Sequence, residues 1–304
     1  MKNRKQYIRM TGAIVVAWFL LHAVESRACT IFVYSSDGKV LVGNNEDAPY
    51  SLLQAAKVWV TPGNGESLSR ICFGWDIVPG WSPVAQGGMN ESGLFLDFAA
   101  CPRSTTPYDP GKPMFRYNLG EHILANCENV RQALAMVRSH SLPPEHGIFG
   151  HFLLADAGGD AAVVEWVEGE LRIIEKGERP YLLASNFYLS NPQLGWYPCP
   201  RFIYVEKNLK EMKEPSLENF KTILAGVAGY GKDGEGNPAG TLYSNIYDLR
   251  NREVTVYYQR DFGKPVRLSL HEELEKGGRT VQLSSLVPDP MPQTGTPAAW
   301  QKSK

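Results

Sequence analysis

The chain has no Cys-x-x-Cys pair, so a zinc site of the usual cysteine spacing has no support. It has no long block of positive charge. Its 31 lysines and arginines stand against 32 aspartates and glutamates, for a net charge of −1. No nucleic-acid footprint follows from such a pattern. Long apolar runs are also missing. The longest, Ala13 to Val24, is shorter than the roughly 20 residues that span a bilayer. No later segment is long and apolar enough, so no stable membrane span is expected in the mature protein. There is no internal repeat and no clear inter-domain linker. Cysteine is scarce, with five residues. Cys72, Cys101, Cys127 and Cys199 allow three full pairings in an oxidising compartment, and spacing does not choose among them. Cys127 lies in an apolar helical pattern that also suits a plain buried thiol.

What is present begins with a leader. Lys2, Arg4, Lys5 and Arg9 make a basic start, the apolar run is broken only by His22, and Ser26-Arg27-Ala28 ends in small residues at −3 and −1. This is the pattern of a cleaved signal peptide, so residues 1–28 are expected to be removed and the protein to be periplasmic or secreted. Cleavage there leaves 276 residues, enough for one large domain. That domain is expected over residues 29–287. Residues 288–304 are proline-rich and polar and are expected to be a disordered tail. Two other readings of the same junction stand beside this one. Cys29 can be a lipidation site, which would make the chain a lipid-anchored binding protein, although Arg27 fits that signal poorly. Alternatively the cut falls elsewhere and Cys29 is an ordinary core thiol.

Cleavage before Cys29 places a thiol and a free α-amine on one residue. The amine, with a reference pKa of about 7.7–8.0, can act as a base near neutral pH. A terminal residue that supplies both nucleophile and base is a known solution for amide hydrolysis.

Strand-type runs follow at Thr30–Ser35 and Lys39–Gly43, joined by Ser36-Asp37-Gly38, a hairpin signal that requires antiparallel pairing. Further strands are expected at Lys57–Thr61, Ser69–Phe73 and Leu94–Phe98, with Gly87-Gly88 and Glu91-Ser92-Gly93 as turns. Phe115, Leu119, Ile123, Leu124 and Cys127 recur at helical spacing, as do Val130, Leu134 and Val137 behind an Asn129 cap. Strands are expected at His151–Ala155, Ala161–Val167, Leu171–Ile174 and Tyr181–Ser185. Phe202 to Met212 and a stretch capped by Ser216 read as helices. Gly229–Gly240 reads as a loop, and strands close the chain at Tyr243–Tyr247, Val254–Tyr258 and Val266–Leu270. Two strand clusters separated by helix pairs suggest two helix-covered sheets.

Three segments carry a resemblance in their order and spacing: Cys29-Thr30, Gly43-Asn44-Asn45-Glu46-Asp47, and Gly88-Met89-Asn90-Glu91-Ser92-Gly93-Leu94. His151-Phe152-Leu153-Leu154-Ala155-Asp156, Ala184-Ser185-Asn186-Phe187 and Cys199-Pro200-Arg201-Phe202 extend it. Together they resemble the choloylglycine hydrolase and penicillin V acylase family of N-terminal-nucleophile cysteine hydrolases, with its acyltransferase-like, linear-amide relatives. The resemblance implies an α+β fold, a four-layer αββα sandwich of two mostly antiparallel sheets. It implies a cofactor-free enzyme acting on a small-molecule N-acyl amide through a thioester, by hydrolysis or by acyl transfer to an amine, and a possible homo-oligomer.

The resemblance also implies roles. Cys29 is the nucleophile. Asp47, late in the second hairpin strand, holds the α-amine. Asn186 donates its side-chain amide to the oxyanion, and a backbone N–H near Ala100 supplies a second donor. Arg201 braces the nucleophile and is expected to lower the thiol's pKa. A cation at that helix start calls for a partner, Asp47 or a substrate carboxylate. One position departs. Bile-salt and penicillin hydrolases usually carry an arginine where this chain has Asn44, so the Asn-Asn-Glu-Asp form looks more like the linear-amide branch. Trp75, Trp81, Tyr108, Phe187 and Trp196 lie in expected loops, where they can line an apolar acyl pocket or belong to the core. No metal is expected: His146 and His151 have poor ligand spacing, Glu121-His122 lacks a second histidine, and Asp233 to Asn237 lacks the later ligands of a calcium loop.

Overall fold

The computed structural model describes residues 29–36, 38–77, 83–115, 118–142 and 150–287. The expected signal peptide, the expected tail, Asp37, Trp81 and His146 lie outside the described residues.

In chain order the first strands are β1 (Thr30–Ser36), β2 (Lys39–Pro49), β3 (Ala56–Thr61), β4 (Arg70–Trp75), β5 (Val84–Asn90) and β6 (Phe95–Ala100). Helices α1 (Leu119–Asn126) and α2 (Val130–Ser139) follow. Next come β7 (Gly150–Ala155), β8 (Ala161–Val167), β9 (Glu170–Glu175), β10 (Tyr181–Ala184), β11 (Phe187–Tyr188) and β12 (Asn191–Gly195). Helices α3 (Pro200–Glu211) and α4 (Leu217–Val227) precede β13 (Tyr230–Lys232), β14 (Pro238–Asp248), β15 (Glu253–Tyr258) and β16 (Val266–Ser269). A short α5 (Leu270–Glu275) and β17 (Arg279–Gln282) close the described fold.

One sheet runs β10-β1-β2-β14-β15-β16, with β13 paired to β14, and the other runs β17-β3-β4-β5-β6-β7-β8-β9. The strand pairs of both are antiparallel. The two sheets face each other across one core, where Ile31, Val33, Val42, Phe73, Phe95 and Leu153 meet. The far face of the first sheet buries Phe32, Tyr34 and Leu41 against Val205, Phe220 and Leu224 of α3 and α4. The far face of the second buries Trp59, Leu96 and Phe152 against Ile123 and Leu134 of α1 and α2. These are the four layers of an αββα sandwich. β1 is apolar on both faces because successive side chains enter different cores.

The first hairpin is tight. Ser36 pairs with Lys39, and Gly38 has φ +77°, a left-handed conformation suited to glycine. Asn129 and Ser216 cap their helices through side-chain oxygens, each accepting an N–H three residues on.

Three expectations are corrected. Gly87-Gly88 is not a turn but the middle of β5. A Cβ on Gly87 would lie 2.4 Å from the Asp97 carboxyl, and one on Gly88 2.3 Å from the Ile71 carbonyl oxygen. These glycines permit close approach, which sequence does not separate from turn formation. Gly229–Gly240 is not all loop. β13 pairs back onto β14, and the Asp233 carboxylate accepts the N–H groups of Glu235 and Asn237 at the turn. Helix α1 also starts later than expected. Phe115 precedes it as a buried non-helical residue.

Candidate active site

Cys29 precedes β1 and is 3% exposed. Alternation along the neighbouring β2 sends Asn44 and Glu46 between the sheets, with Val42 and Ala48 of the inter-sheet core, and Asn45 and Asp47 toward the helices. Two groups of polar side chains therefore flank the start of β1, one on each face of the sheet.

On the helix side, Arg201 in the first turn of α3 places Nη1 3.2 Å from Asp47 Oδ2 and 3.2 Å from Thr30 Oγ1, and Nη2 2.8 Å from Asn186 Oδ1. Thr241 Oγ1 donates to the other Asp47 oxygen at 2.6 Å. Arg201 and Asp47 are an ion pair with side chains 11% and 2% exposed. Removing either partner would leave the other charge uncompensated in the interior. Asn186 lies between β10 and β11. Its Nδ2 donates to the Ala100 carbonyl at 2.8 Å. A primary amide has two N–H donors, so one remains for another acceptor.

On the inter-sheet side, Cys29 Sγ donates to Glu46 Oε2 at 3.1 Å. Asn44 Nδ2 donates across the sheets to Asp97 Oδ2 at 2.7 Å. Burial, then the Glu46, Asp47 and Asp97 carboxylates, push the Cys29 thiol well above its usual 9.0. The Asp47 backbone N–H, hydrogen-bonded to the thiol, offsets this only in part. This corrects the expectation that Arg201 lowers the thiol pKa: its guanidinium is committed to Asp47, Thr30 and Asn186, and the charges acting on the thiol are negative.

A third group stands behind Ser185. His151 Nε2 faces the Ser185 carbonyl at 2.7 Å and Nδ1 faces Glu165 Oε1 at 2.8 Å. Both ring nitrogens meet acceptors, so both carry protons. Burial alone would lower the His151 pKa, but Cys101 and Glu165 beside it outweigh burial and push it up to about 10. Burial likewise opposes ionisation of Glu165, yet hydrogen bonds from His151 and Ser190 hold it below its usual value. Glu165 also accepts the N–H groups of Leu189 and Ser190 at 2.6 and 3.0 Å. The pair thus ties down both sides of the Ser185-Asn186 segment.

The linkage has a defined sign. Stability from His151 is full below its unfolded value of about 6.5 and is lost as pH rises through about 10. Stability from Glu165 is present above its unfolded value of about 4.3 and is lost as pH falls below it. The difference in urea midpoint between the parent and His151→Gln is therefore expected to be largest near pH 5.5 and to shrink steadily toward pH 10. A difference independent of pH would contradict a charged His151.

The other expected site residues are distributed as follows. Ala100 ends β6, and its carbonyl meets Asn186 as described. Phe187, expected in a loop, lies instead in β11, where it is buried and packs edge-on against Tyr197 and Phe202, with ring centroids 5.0 Å away in each case. Trp75 is not a loop residue. It ends β4 within the inter-sheet core, 6.3 Å from the Tyr243 ring. Tyr108 and Trp196 are exposed. The five cysteines are buried and free. Asn90 is a structural residue: its amide caps the carbonyls of Leu124 and Cys127, and its oxygen accepts from Ser92 and Leu94. Glu46, Asp97, Thr241, His151 and Glu165 were not singled out as site residues. Their one sequence signal is a polar side chain inside a strand.

Two facing antiparallel sheets behind a cysteine, with helices outside, form the fold of N-terminal-nucleophile hydrolases. A conjugated bile acid hydrolase mutant from Clostridium perfringens is similar, with TM-score 0.66, 18% identity, and coverage of 84% of this chain and 96% of that one. A second variant of that hydrolase gives 0.64, 19%, 83% and 96%. A penicillin V acylase from Agrobacterium tumefaciens gives 0.57, 18%, 76% and 83%. The family model for acyl-coenzyme A:6-aminopenicillanic acid acyl-transferase matches residues 33–261, and the chain belongs to this family. No curated protein sequence matches it.

Proposed function

We propose that the protein is an exported cysteine hydrolase that cleaves the linear C–N amide bond of an N-acylated small molecule. The observation that supports this most is the convergence at the start of β1: the Cys29 thiol on one side, and on the other an Arg201–Asp47 pair that holds the Asn186 amide. In this reading, export removes residues 1–28 and Cys29 becomes the N-terminus. Its α-amine takes the thiol proton as sulfur attacks the amide carbonyl. The tetrahedral oxyanion receives the second N–H of Asn186 and a backbone N–H near Ala100. The protonated α-amine, held by Asp47, then protonates the leaving amine. Water attacks the thioester with the same amine as base, and the carboxylic acid leaves. Phe187 and Trp75 supply aromatic surface on the two sides of the site. A free ammonium at Cys29 would also offset the carboxylates that now raise the thiol pKa.

The family's description favours a second reading, in which an amine takes the acyl group from the thioester. One assay covers both. The mature protein is incubated with penicillin V, conjugated bile salts, N-acyl amino acids and acyl-homoserine lactones, with and without hydroxylamine. Hydrolysis gives equal amounts of acid and amine, whereas transfer gives hydroxamate. Failure to release an amine from any of these amides would contradict both.

A further inference from the structure

The inter-sheet side of the site holds a group of acceptors that the mechanism above does not use. Asn44 and Asn245 are register neighbours on β2 and β14, and Glu46 stands opposite Tyr243. Asp97 alternates with Phe95 and Ala99 on β6, and so reaches the same layer from the other sheet. Gly87 leaves room for its carboxyl. Asn245 Nδ2 donates to the Tyr247 hydroxyl at 3.1 Å, and Asn44 Nδ2 is used by Asp97. Three acceptor atoms have no partner among the described residues: Asn44 Oδ1, Asp97 Oδ1 and Asn245 Oδ1. Their residues are at most 1% exposed. Buried acceptors without donors cost free energy, and so large a set in one place calls for a donor-rich occupant.

The titratable groups around the cluster are carboxyls, a thiol and phenols, and burial pushes the Glu46 and Asp97 carboxyls up toward their neutral forms. Glu46 and Asp97 reach it from the two sheets, while Asp47 turns to the helix side and is paired there with Arg201. Cys29, Gln86, Tyr243 and Tyr247 complete the facing titratable and polar groups. Arg201, the cation of the site, is on the opposite face of the first sheet. A substrate carboxylate here would add acceptors to acceptors and push Glu46 and Asp97 further toward their neutral forms. An ammonium has three donors and no acceptor. It matches the unpartnered oxygens in number, and its charge would draw the neighbouring carboxyls into their ionised forms.

We propose that this cluster is the specificity-determining part of the site, and that it selects N-acyl amides carrying an ammonium group over those carrying a carboxylate. The proposal rests on the reading of Cys29 as the nucleophile. The carboxyl of Glu46 is pushed up to about 8, first by burial and then by Asp47, against hydrogen bonds from Cys29 and Gln86. An incoming ammonium would favour its ionised form and form a pair beside the thiol.

The test uses two matched substrate series with the mature protein. Hexanoyl p-nitroanilides ending in ammonium, methyl or carboxylate vary the acyl side. N-hexanoyl derivatives of ethylenediamine, ethylamine and glycine vary the amine side. In at least one series, kcat/KM for the ammonium member is expected to exceed that for the carboxylate member about tenfold or more, equivalent to about 1.4 kcal/mol. Asp97→Asn is expected to reduce that ratio. In parallel, hexane-1,6-diamine is expected to protect Cys29 from iodoacetamide better than hexanoate does, read from the mass of the Cys29 peptide. Cys29-dependent hydrolysis with equal or reversed preference overturns the proposal and leaves the hydrolase reading intact. If no amide is cleaved, the hydrolase reading fails, and the protection assay still decides the charge preference of the cluster: better protection by hexanoate overturns it.

Discussion

Cys29→Ala is expected to lower the rate of amide cleavage by about 10⁴- to 10⁶-fold, the usual result of removing a covalent nucleophile. The substitution is conservative for the fold. It removes one sulfur at a 3%-exposed position together with its hydrogen bonds to the Glu46 carboxyl and the Asp47 N–H. Far-UV circular dichroism and the urea midpoint should therefore remain close to the parent's, and the variant should still bind the amide it no longer cleaves. Loss of activity without loss of fold separates chemistry from packing. Activity within tenfold of the parent would show that sulfur does not attack the substrate, and the buried carboxyl beside it would become the first alternative.

Asn186→Ala is the second large effect, about 10²- to 10³-fold in kcat with KM little changed. The geometry supports a fall in kcat over a fall in affinity. Arg201 and Ser185 hold the Asn186 oxygen, at 2.8 and 3.3 Å, and Ala100 takes one amide hydrogen at 2.8 Å. The other hydrogen is fixed before substrate arrives, which is the condition for a donor to stabilise developing charge. Stopped-flow or steady-state kinetics on one amide distinguish the outcomes. A rise in KM at constant kcat would assign Asn186 to substrate binding. No change in either would assign it only to holding the Ala100 carbonyl.

The residues legible in the sequence are those that belong to short ordered motifs. Cys29 follows a leader-type sequence, Asn186 follows a strand, and Arg201 follows Cys-Pro at a helix start. The four layers followed from strand and helix clusters together with the resemblance. The inter-sheet cluster was hidden because Asn44-Asn45-Glu46-Asp47 is polar throughout, with no hydrophobic alternation to show which side chains share a face. Only the register of β2 with β1 and β14 decides that. Asp97 looked like one carboxylate in an apolar strand until the second sheet brought it to Asn44. His151 and Glu165 become a pair only through the β7–β8 register, which places them opposite one another. Arg201 was placed correctly on its helix, but its partner sets its effect. Committed to Asp47 and Asn186, it stands on the helix side of the sheet and leaves the thiol among carboxyl groups.

The most direct test of the central claim is acid-quenched intact-mass and peptide analysis of the exported protein after brief exposure to a cleaved amide. A chain beginning at Cys29, carrying one acyl group as a hydroxylamine-labile thioester on that residue, is the predicted result. An acyl group on another residue, or a Cys29 whose nitrogen is still blocked in an active protein, would contradict it.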